Sequence, residues 1–171
     1  MRQLPKFSGL VAAIAAFVAL SFAPVRGSDG ASGVNKITIK RVFTGWKDGA
    51  SFKRISEYFT GQENTDDTVV MRTHPDQRSG FYFFIRVSNL GAPAPVKINL
   101  ELITPTDTKP KTYTFSSEIK SGQNLFNLGL TAEDWPDEKA HPVAWKIDFV
   151  GSDNQVLVSR DSYLWEKPAT P

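Results

Sequence analysis

The sequence predicts an all-β fold, an antiparallel β-sandwich of about eight strands with one short helix. Three observations carry the prediction. Gly80–Asn89 alternates Phe81, Phe83, Ile85 and Val87 with Tyr82, Phe84, Arg86 and Ser88, a period of two in β-branched and aromatic residues. Val96–Ile103 alternates as cleanly, with Val96, Ile98, Leu100 and Leu102 against Lys97, Asn99 and Glu101. Turn residues recur between such runs at near-regular spacing.

The elements follow in order. Residues 1–27 read as an export signal. Arg2 and Lys6 open it, Gly9–Ala23 is uncharged and apolar, and Val25-Arg26-Gly27 places small residues for cleavage after Gly27. The apolar run is shorter than the roughly 18–20 residues of a spanning helix, so no stable membrane anchor is expected after cleavage. Residues 28–33 are a polar, glycine-containing leader, 34–166 the sandwich domain and 167–171 a tail. Val34–Phe43 is the first strand, with Ile37, Ile39 and Phe43 on one face and Arg41 out of place. Phe52, Ile55 and Phe59 are spaced to share one side of a helix, with Asp48 or Ser51 at its start and Gly61 past its end.

Thr68–Thr73 is a strand, and His74–Gly80 a turn punctuated by Pro75 and Gly80 that leads into the Gly80–Asn89 run. Gly80–Asn89 is expected to be central, apolar on both faces over its first half. The short Asn89–Pro95 connection predicts that Val96–Ile103 pairs antiparallel with it. Lys111–Phe115, Gly122–Leu130 and Val143–Val150 continue the pattern. Gln155–Trp165 is the last strand, and its alternation slips, which predicts a bulge near Ser159–Ser162. In strand count and spacing the chain resembles the broad immunoglobulin-like or fibronectin-like architecture. Lacking cysteine, it lacks the disulfide of true immunoglobulin domains.

Composition narrows function. Arg2, Lys6 and Arg26 leave with the signal, so 17 basic side chains face 18 acidic ones in the exported chain. That balance argues against nucleic acid as a partner, because phosphate binding needs a basic surface. The absence of both cysteine and Asn-x-Ser/Thr glycosylation acceptors fits a bacterial periplasmic or extracellular protein better than an animal one, and leaves the core alone to hold the fold. His74 and His141 stand 67 residues apart, too few for a zinc or copper site, so no metal or cofactor is expected. Two acidic loops, Glu63–Asp67 and Glu133–Glu138, lack the alternation of a calcium loop. Neither a Gly-x-Ser-x-Gly elbow nor a phosphate-cradling glycine loop is present.

These readings predict an exported, non-catalytic binding or structural module that takes a protein partner, with the terminal strands as candidate docking edges. A carbohydrate-binding module is the alternative. Trp135, between Asp134 and Asp137 in a polar loop, and Trp46 would supply its rings. The other arrangement for both indoles is to fold back over the end of the sandwich. A hydrolase with a loop-borne site is a second alternative.

Overall fold

The computed structural model describes residues 36–165. The signal (1–27), the leader (28–33) and the tail (167–171) lie outside the described residues. Among the described residues, eight strands form two four-stranded sheets. They are β1 (Ile37–Lys47), β2 (Thr68–Arg72), β3 (Gly80–Asn89), β4 (Ala94–Ile103), β5 (Lys111–Ile119), β6 (Gly122–Thr131), β7 (Ala144–Val150) and β8 (Val156–Asp161). The first sheet runs β1-β3-β6-β2 and the second β5-β4-β7-β8. The partition of β1, β3 and β6 against β4, β7 and β8, with β5 beside β4, is that of an immunoglobulin-like sandwich. All pairs are antiparallel except β2 with β6, which run parallel.

The core lies between the sheets, where the two inward faces meet. Phe81, Phe83, Ile85 and Val87 of β3 and Phe126, Leu128 and Leu130 of β6 face Ile98, Leu100 and Leu102 of β4 and Ile147 and Phe149 of β7. Across the layer, Phe83 meets the ring of Trp145 at 5.8 Å and Phe126 meets Phe149 at 5.6 Å. β3 is an interior strand with the expected bounds, and its Phe81, Tyr82 and Phe83 are wholly buried.

Four expectations are corrected. First, β4 does not pair with β3. Leu90–Pro93 carries the chain into the other sheet, where β4 lies between β5 and β7. Asn89 fixes that crossing, accepting from Gly91 N–H at 2.8 Å and donating to the Ala92 carbonyl at 3.0 Å. Pro93 and Pro95 lack the N–H groups that a hairpin would use. Second, β1 has its register shift between Ile39 and Arg41. The shift turns Val42 inward and Phe43 outward, so Phe43 is 58% exposed, and Arg41 is no longer an exception. Third, the shift involving β8 lies opposite Phe149/Val150, at Leu157, and not at Ser159–Ser162.

Fourth, the helical segment does not bury the side that holds Ile55 and Phe59. A 3₁₀ turn at Gly49–Phe52 precedes α1 (Ile55–Thr60), which ends at Gly61 in the left-handed region with φ of 68°. Phe52 packs on Tyr82 at 4.6 Å, while Ile55 and Phe59 are 79% and 85% exposed. The segment from Asp48 to Asp67 covers part of the outer face of the first sheet. Among the described residues, no helix is long and apolar enough to cross a membrane.

Candidate functional site

Three regions gather polar or exposed apolar side chains. The first is built on the corner after β6. Ala132 holds φ at 53°, a conformation that a residue with a Cβ adopts rarely. The corner swings Asp134 under the β2–β3 turn and beside β5. Lys111 Nζ and Tyr113 Oη donate to Asp134 Oδ1 at 2.7 and 2.9 Å, and His74 Nε2 lies 3.2 Å from Oδ2. Burial opposes ionisation of Asp134, but hydrogen bonds from Lys111, Tyr113 and Thr73 outweigh it and hold its pKa below the usual carboxylate value. Asp134 raises the pKa of Lys111 in turn, helped by Tyr113. Thr131, wholly buried, ties the β2–β3 turn to β6 by accepting the His74 N–H at 3.0 Å. Both oxygens of Asp134 are therefore engaged, which makes it a clamp on the loop.

Beside this clamp lies a cleft of about 500 Å³, walled by Trp135, Tyr113, Pro105, Pro136 and Asp137. Trp135 has folded back. It is 3% exposed and packs tilted on Phe81, ring centroids 4.8 Å apart, although its Nε1 finds no acceptor among the described residues. Trp46 is half-buried on the inward side of β1, opposite Phe81. Phe81 thus brings the two tryptophans to one end of the sandwich, but neither stands in solvent as a free platform. Asp137 is exposed and turns the following loop, accepting the Lys139 N–H at 2.8 Å. His141 sets its ring edge-on to Phe81 at 5.8 Å. Among the described residues, no group of three or more His, Cys, Asp or Glu could hold a metal ion.

The second region pins the Asp48–Asp67 segment. Arg72 on β2 grips Glu63 through both terminal nitrogens and donates Nε–H to Tyr82 Oη at 2.8 Å. Tyr82 Oη donates to the Arg78 carbonyl at 2.7 Å, and Arg78 donates to Glu57 of α1, also at 2.7 Å. The Arg72 guanidinium holds Glu63 below the usual carboxylate pKa. Gly129 keeps the floor open for Tyr82. A Cβ there would lie 2.5 Å from the phenol ring. Anchored from behind in this way, α1 presents Ile55, Tyr58 and Phe59 outward.

The third region is the uncovered part of the same sheet face, where Phe43, Phe84 and Leu125 lie among Arg41, Lys47 and Arg86. Sequence reading placed neither this face nor the exposed side of α1. Helical spacing reports that residues share a side, not whether that side meets protein or water. The terminal strands β1 and β8 are edges, as are β2 and β5.

No protein-family model matches the chain, and no curated protein sequence is significantly similar to it.

Proposed function

We propose that the protein is an exported, non-catalytic β-sandwich module that binds a protein partner through the side of the first sheet that carries α1. One observation carries this reading. Ile55, Tyr58 and Phe59 are 79%, 77% and 85% exposed on a helix whose other side is pinned by the Glu57–Arg78 ion pair. Apolar side chains held outward on a fixed element form the kind of patch that a partner covers. The polar clusters support the non-catalytic part, because the side chains that could act as acid, base or nucleophile near Asp134 are spent on one another.

Cross-linking of the exported chain in its native envelope tests the reading. A discrete protein adduct is expected, and Ile55→Ser/Phe59→Ser should abolish it while changing stability by less than about 0.5 kcal/mol per site, as for exposed positions generally. An adduct that survives the double substitution removes α1 from the interface. No adduct from the unaltered chain would sink the protein-binding reading. It would favour the carbohydrate alternative, which the cleft beside Trp135 supports.

A further inference from the structure

The four strands of the first sheet carry Lys40, Arg41, Lys47, Arg72 and Arg86 and no acidic residue. Arg72 is spent on Glu63. Arg41, Lys47 and Arg86 pair with no carboxylate among the described residues. Register sharpens the point. Arg41 lies directly opposite Arg86 across β1 and β3. Like charges in that position repel, and a fold with no use for them gains by replacing one. The next outward pair is Phe43 opposite Phe84. Arg41 sits over the Phe43 ring at 5.0 Å and Lys47 over that of Phe84 at 5.8 Å. Cations thus lie over both rings.

Shape supplies the second half. A trough of about 200 Å³ runs between the arginines and Leu125, which is 37% exposed. A neighbouring hollow of about 290 Å³ shares Thr68 and Asn127 with it and is walled by Phe52 and Arg54 of the covering segment. The face is therefore a walled trough and not a flat plane. It suits a chain lying across the strands better than a bilayer surface. A cation over each aromatic ring competes with a nucleobase or sugar for that ring's face.

We propose that this trough seats an acidic peptide segment of the protein partner, with carboxylates between Arg41 and Arg86 and an adjoining apolar side chain against Leu125. The proposal rests on the protein-binding reading above and names the partner's chemistry. Charge complementarity selects the occupant.

Panning the exported chain (28–171) against a display library of random dodecapeptides tests it. Enriched peptides should place Asp or Glu beside Phe, Leu or Trp, and the synthetic consensus peptide should bind more weakly as salt is raised. Arg41→Gln/Arg86→Gln should weaken that peptide by about tenfold, or 1.4 kcal/mol. The same variant should keep or raise the melting temperature, since the facing charges are gone. Lys97→Gln, which removes an exposed cation from the second sheet, should bind the peptide as the unaltered chain does. Enrichment without acidic residues, or binding indifferent to the arginines, overturns the proposal. So does an empty panning, including one in which polygalacturonate or phosphatidylglycerol vesicles bind instead. If the envelope adduct still forms in any of those cases, the protein-binding reading stands and only the trough falls.

Discussion

The two outer faces of the sandwich differ although the inner faces are alike. On the second sheet, Thr114, Asn99, Asp148 and Ser159 line up across four strands, and Thr112, Glu101, Lys146 and Asp161 form the parallel row. Charges of both signs stand there, and Lys146 pairs with Asp148 at 2.7 Å. On the first sheet the equivalent rows are Arg41, Arg86, Leu125, Thr68 and Phe43, Phe84, Asn127, Val70. One face is polar, with charges of both signs. The other is half covered by the Asp48–Asp67 segment and half left apolar and cationic. Inner-face patterning makes the fold, and the departure from a polar outer face marks where the molecule meets something else.

The largest effect belongs to the inner face, common to both sheets. Phe83→Ala removes a wholly buried ring that meets Trp145 across the layer, and it should cost about 3–5 kcal/mol in chemical denaturation. A loss under about 1 kcal/mol would mean that β3 is not the centre of the core, on the same scale.

The next effect isolates the cover. Glu63→Ala leaves the Arg72 side chain, 6% exposed, without its carboxylate partner. A buried charge stripped of its partner costs about 3 kcal/mol, and partial exposure of Glu63 reduces that figure. A pH series gives an independent check. Arg72 lowers the folded pKa of Glu63 below the unfolded carboxylate value, near 4.3. The resulting stability is present above that unfolded value and is lost as pH falls through the folded one. Melting temperatures taken from pH 6 downward into the acid range should therefore fall less steeply for Glu63→Gln than for the parent. Equal slopes would detach the cover from this ion pair.

How far the sequence foretold this arrangement depends on what each feature needs. β3, β4 and β6 were legible because their period-two alternation is local. The bulge in β1 left a trace, Arg41 on an otherwise apolar side, but its consequence for Phe43 required the register with β3. The crossing after Asn89 was hidden because a short linker fits either a hairpin or a change of sheet. At the site, the closeness of Trp135, Asp134 and Asp137 followed from their adjacency in the chain. The engagement of Asp134 by Lys111, Tyr113 and His74 did not, since those partners come from β5 and the β2–β3 turn. Arg41 and Arg86 are 45 residues apart, and only strand pairing makes them face each other.

The smallest effect is the most discriminating for the open half of the first sheet. Phe43 and Phe83 are both strand phenylalanines, yet Phe43 is 58% exposed and Phe83 is wholly buried. Phe43→Ser should change folding stability by no more than about 0.5 kcal/mol, as for exposed positions generally. If the same substitution weakens binding of an acidic peptide, the ring is present for contact and not for folding. A stability loss of 2 kcal/mol or more, on the scale of a core truncation, would place Phe43 in a packed layer. It would also erase the contrast between the covered and open halves of the face.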